Sequence, residues 1–173
     1  MDIYTLIEFY LNDQITIQEL KQRKESYEDI EIRMGKRISK NLKQEIEEMI
    51  SRIVQQLQTM VQKTLSYKRI IIAYIESYTQ DEKTLLYNVL KSKAEQLEQP
   101  IAITEYDLNK MAFVGKYQEY VTMCNNILIK PSMVPEEYRQ KTIYLQTLRT
   151  KKATYEEILE LLRQYKQNTP MKP

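Results

Sequence analysis

Between residues 39 and 78 the chain has no glycine or proline, and its apolar and tyrosyl residues return every three to four positions. Helix interiors exclude glycine and proline and bury one stripe of side chains at this spacing, so the run predicts one long central amphipathic helix over about 39–78. Ile46, Ile53 and Met60 fit the d positions of a heptad, and Ile50 and Leu57 the a positions, which together make a packing seam. Thr64 interrupts the seam, and Tyr67, Ile71, Tyr74 and Tyr78 resume it. Ile70, Ile72 and Ile75 make that last stretch apolar nearly all round, as a core segment requires. At 1.5 Å per residue such a helix is roughly 60 Å long, whereas a compact globule of this chain length is roughly 40 Å across. Three outcomes are open: the helix breaks near 64–66, it projects and packs on another copy or another protein, or the preceding helices fold back and cover its seam.

The rest of the chain is read from its helix signals. Two glycines and five prolines in 173 residues leave too few turn formers for an all-β architecture. Four capping-box patterns, a threonine with an acid three residues later, mark candidate helix starts: Thr16 with Glu19, Thr79 with Glu82, Thr104 with Asp107, and Thr154 with Glu157. With Gly35, Pro100, Gly115, Pro131 and Pro135 as punctuation, they predict an all-α fold of about eight helices. A short helix over 3–11 is capped by Asp2, and a second runs from Thr16 to Gly35, which can take the left-handed conformation that closes a helix. After the long helix come five more, over about 79–99, 104–115, 116–130, 135–152 and 154–166. Residues 1–63 are expected to form a helical arm or hairpin that includes the first half of the long helix, residues 64–167 a compact helical body, and residues 168–173 a disordered tail.

What the composition lacks limits the chemistry. There is no histidine, so imidazole bases, Ser/His or Cys/His nucleophile pairs and mixed Glu/His di-iron sites are excluded. The one cysteine, Cys124, supports neither a four-ligand structural zinc site nor an intrachain disulfide, and it fits a reducing compartment. With glycine only at 35 and 115, no phosphate-cradling loop exists. Glu47 with Glu48, and Glu156 with Glu157, read as solvated or first-turn acids rather than an acid/base pair. The expectation is a non-enzyme with no catalytic, metal or cofactor-binding residues and no small-molecule substrate. The most apolar run, 70–75, falls far short of the roughly 20 residues of a membrane span, so a cytoplasmic protein without a membrane partner is expected.

Two features remain to carry function. The first is the stretch 104–129, where a capped helix, Gly115 and a longer helix have the layout of a helix-turn-helix. Candidate DNA-binding residues are Lys110, Lys116, Gln118, Thr122, Lys130, Lys151 and Lys152, with Arg139, Lys141 and Arg149 nearby if they converge. The order of a long helix, a capped helix reading Asp81-Glu82-Lys83-Thr84-Leu85-Leu86, and this stretch loosely resembles small phage transcription regulators over about 60 residues. That resemblance implies DNA binding, although the usual glycine-and-serine turn before a basic recognition helix is missing. The second feature is the long helix, whose seam residues Ile46, Ile50, Ile53, Leu57 and Met60 are candidates for a protein interface, most simply a homodimer. The leading expectation is a helical regulatory or adaptor protein of a bacterium or phage that acts through protein contacts and self-association. The alternative is a DNA-binding regulator using residues 104–152.

Overall fold

The computed structural model describes residues 2–124 and 136–168, with side chains described outside 113–135 and 166–168. These residues are helical apart from short connections, and no strand occurs among them. In chain order the helices are α1 (Ile3–Met34), α2 (Lys40–Ser77), α3 (Gln80–Gln96), α4 (Glu98–Cys124) and α5 (Glu136–Asn168), with a single 3-10 turn, Gly35–Arg37, between α1 and α2. The all-α class is as expected; the helices are fewer and longer than the eight expected.

The difference lies in what the threonines do. Thr79 forms a true capping box: its backbone N–H donates to Glu82 Oε1 at 3.1 Å, and the Glu82 N–H donates to Thr79 Oγ1 at 3.2 Å. Thr16, Thr104 and Thr154 instead lie inside α1, α4 and α5. Their hydroxyls donate to carbonyls one turn back, to Asn12 at 3.0 Å, Pro100 at 2.7 Å and Thr150 at 2.8 Å. A threonine bonded this way stays in the helix, so the expected starts at 16, 104 and 154 are corrected to helix interiors. Pro100 is likewise not a terminator. It is the third residue of α4, where a backbone N–H would have no intrahelical acceptor and its loss is tolerated. Leu97 alone separates α3 from α4 and accepts the first hydrogen bond of α4, from the Ile101 N–H at 3.1 Å. The long helix is present and does not break at 64–66. Thr64 is buried in it, and Ser66 bonds back to the Gln62 carbonyl at 3.1 Å.

The chain divides into two compact units. The first holds residues 1–83 with 161–173, and the second residues 84–160, so α3 and α5 each contribute to both. The boundary expected at residue 63 would fall inside the unbroken α2.

The first unit is built on an antiparallel hairpin of α1 and α2. Asp2 caps α1 by accepting from the Tyr4 and Thr5 N–H groups, and Ser39 caps α2 by accepting from the Leu42 N–H. Between them Gly35 takes φ +47°, a conformation that costs a side-chain-bearing residue, and its N–H returns to the Glu31 carbonyl. The register of the hairpin is fixed by two pairs. Asp13 faces Lys63 with 3.8 Å between Oδ1 and Nζ, and Phe9 faces Tyr67 with ring centroids 6.2 Å apart; both pairs are symmetric about residue 38. Buried side chains line both helices: Ile3, Leu6, Ile7, Tyr10, Leu11, Ile17 and Leu20 on α1, and Ile46, Ile53, Ile71 and Ile75 on α2. Near the open end of the hairpin, Tyr165 on α5 donates to Glu76 Oε1 at 2.9 Å.

The core of the second unit is Leu86, Leu90 and Ala94 of α3, Thr104 and Leu108 of α4, and Leu145, Leu148, Tyr155, Ile158 and Leu159 of α5. Ion pairs order α4 against α5: Glu98 with Lys152 at 3.7 Å, Glu105 with Arg149 at 2.7 Å, and Asp107 with Lys141 at 3.2 Å. Position rises along α4 as it falls along α5, so the two helices are antiparallel.

Candidate functional site

The residues expected at a protein interface lie in the joint of the hairpin. Ile46 and Ile53 are buried, and Ile50, Leu57 and Met60 are half-buried on the same side of α2. With the register symmetric about residue 38, Ile53 stands opposite residue 23 and Met60 opposite Thr16 of α1. The length and apolar spacing that suggested an exposed seam are thus met largely within the chain. The fold-back of the preceding segment is the outcome realised, and that segment is one helix rather than two.

Of the residues expected to bind DNA, only Lys110, Lys151 and Lys152 have described side chains. α4 runs unbroken through Gly115 to Cys124, so no turn at Gly115 divides it into two helices, and the helix-turn-helix layout expected around that glycine is corrected on that ground. Lys116, Gln118 and Thr122 lie on α4 where side chains are not described, and Lys130 lies outside the described residues. Lys110 is exposed and Lys151 half-buried. Lys152 sits between Glu98 and Glu156, at 3.7 and 3.9 Å, and Lys141 between Asp107 and Glu137, at 3.2 and 3.9 Å. The whole stretch 138–155 contains five cations, Arg139, Lys141, Arg149, Lys151 and Lys152, and no acid. Acids of α4 pair with Lys141, Arg149 and Lys152 of that run, which makes those three cations part of a helix-joining surface.

A second acid-free stretch, 32–44, spans the turn of the hairpin and holds Arg33, Lys36, Arg37, Lys40 and Lys43. All five are exposed. Arg33 pairs with Asp29 one turn back at 3.2 Å, and among the described residues the other four make no ion pair. Their surroundings are apolar as well as basic. Ile32 is 79 % exposed, Met34 and Leu42 are about two-fifths exposed, and a side-chain carbon added at Gly35 would meet nothing within 4 Å. Three of the cations suit their position, because they stand at or beyond the C-terminus of α1 where the helix dipole favours positive charge. Lys40 and Lys43 do not. They occupy the first turn of α2, which has no acidic residue, and there the dipole opposes them. Counting charge over the two halves of the chain hides this cluster; counting it per turn would have found it.

Two tyrosine hydroxyls in the first unit are held above the usual tyrosine pKa. For Tyr78 the main cause is burial, with the Glu82 carboxylate adding to it; for Tyr165 it is the hydrogen bond to Glu76. Among the described residues no group of three or more potential ligands could hold a metal ion, and no helix is long and apolar enough to cross a membrane. Comparison with known proteins finds no matching family model, no matching curated protein and no matching solved structure.

Proposed function

We propose that this chain is a non-enzymatic helical regulatory or adaptor protein that works through protein contacts and associates with a second copy of itself along α2. The observation that carries this reading is a line of apolar side chains beside the seam. Val54, Val61, Leu65 and Ile72 fall within about 40° of one another around the helix axis, at steps of seven, four and seven residues. Val54 and Ile72 are half-buried, whereas Val61 and Leu65 remain 40 % and 46 % exposed with the whole chain folded. That spacing suits a like helix packed alongside, and two identical faces related by a two-fold axis satisfy each other without further sequence features. The proposed contact thus moves from the seam, which α1 occupies, to the side of the helix that α1 leaves open.

Sedimentation velocity of the full chain across a wide concentration range tests the proposal. The mass should rise above that of one chain, and Val61→Lys with Leu65→Glu should return it to one chain while leaving the helical circular dichroism unchanged. A wild-type protein that sediments as a monomer at every concentration would contradict it.

A further inference from the structure

We propose that the turn end of the α1–α2 hairpin docks on an anionic phospholipid surface. The first ground is charge without a partner. The acid-free basic run at 138–155 is met by Glu98, Glu105 and Asp107, whereas Lys36, Arg37, Lys40 and Lys43 of the run at 32–44 form no ion pair among the described residues. The second ground is that Lys40 and Lys43 stand against the dipole of α2. A helix that needed only internal stability would carry acids or neutral residues there, so the cations are better matched to negative charge outside the chain.

The third ground selects the kind of surface. Ile32, Met34 and Leu42 are exposed among the cations, with open space over Gly35. A nucleic-acid backbone would engage the cations and leave those aliphatic side chains in water. The interfacial layer of a bilayer takes both without a complementary groove, lysine and arginine at the headgroup phosphates and aliphatic side chains just below them. No described helix is long and apolar enough to span a bilayer, so the contact is peripheral. The expectation of no membrane partner rested on the lack of a spanning segment, which a peripheral contact does not need.

The test is flotation of the full chain with vesicles of phosphatidylcholine alone and of phosphatidylcholine mixed with phosphatidylglycerol. The protein should float with the mixed vesicles only, and less as salt is added. Each cation near the surface contributes about fivefold in binding, so Lys36→Glu, Arg37→Glu and Lys40→Glu together should weaken it more than about a hundredfold. Ile32→Ser should weaken it too, while Lys151→Glu, in the other basic run, should leave it unchanged. Circular dichroism of each variant separates loss of binding from loss of fold. No flotation with the mixed vesicles, equal flotation with neutral ones, or binding to duplex DNA in place of the vesicles would overturn the proposal. The outcome is independent of self-association, since Val61→Lys with Leu65→Glu alters α2 far from the turn and should leave flotation intact.

Discussion

Asp13 and Thr64 place polar oxygens in the otherwise apolar joint of α1 and α2. Asp13 is 8 % exposed and Thr64 6 %, and neither Asp13 Oδ2 nor Thr64 Oγ1 has a hydrogen-bond partner. The other oxygen of Asp13 reaches Lys63, whose own side chain is about half exposed and spreads over the Tyr67 ring at 5.8 Å from its centroid. A buried hydroxyl without a partner costs about 1–3 kcal/mol, and valine keeps its shape without the cost. Thr64→Val should therefore raise stability by about 1 kcal/mol in chemical denaturation; a loss of stability would mean that the hydroxyl is satisfied. Tyrosine gives a second prediction at this scale. Because burial holds the Tyr78 hydroxyl above its ordinary pKa, the folded state keeps its proton at a pH where the unfolded chain releases it. Its contribution is complete below about pH 10 and is lost as pH rises through the folded value. Alkaline denaturation monitored by circular dichroism should be shallower in Tyr78→Phe than in the wild type, and the two profiles should coincide at neutral pH.

At the scale of the element, the two glycines make opposite predictions. Gly35 has positive φ in open space, so Gly35→Ala should cost about 1 kcal/mol through backbone strain alone. Gly115 lies within α4, where a helix former is better by about 1 kcal/mol, so Gly115→Ala should stabilise. If Gly115 instead formed the turn of a helix-turn-helix, its substitution would destabilise, and thermal melting of the two variants decides between them. The same contrast shows what could be read from the residues. Gly35, Asp2 and the Thr79–Glu82 box act as read, because in each the residues around the signal also leave the helical path; Tyr78, before the box, is extended at ψ 146°. Thr16, Thr104 and Thr154 carry a similar pattern, but apolar helical spacing continues through them, and a four-residue pattern cannot distinguish a cap from a hydroxyl bonded one turn back. Pro100 misleads for a related reason: whether it stops a helix or opens one depends on where the turn falls, and Leu97 places that turn three residues earlier.

For the whole molecule, the all-α class and the extent of α2 followed from the absence of helix breakers, a local property of the sequence. The partner of α2 did not. Which helix covers Ile46 and Ile53 depends on α1 being continuous, and that continuity was hidden by the false start at Thr16. The basic end of the hairpin is hidden by scale, since Lys36, Arg37, Lys40 and Lys43 are offset by acids elsewhere in the same half of the chain. The proposed self-contact and the proposed lipid contact both require a straight, unbroken α2 that carries the turn away from Ile75 and the other core residues at its far end. Pulsed electron–electron distance measurement tests this directly, with spin labels at Lys43 and Ala73, both exposed, in a background where Cys124 is replaced. At 1.5 Å per residue, an unbroken helix separates the two backbone positions by about 45 Å, and the label distances should form one narrow distribution consistent with that span. A distribution centred well below it, or split in two, would show that α2 bends or breaks near 64–66 and would contradict the hairpin described here.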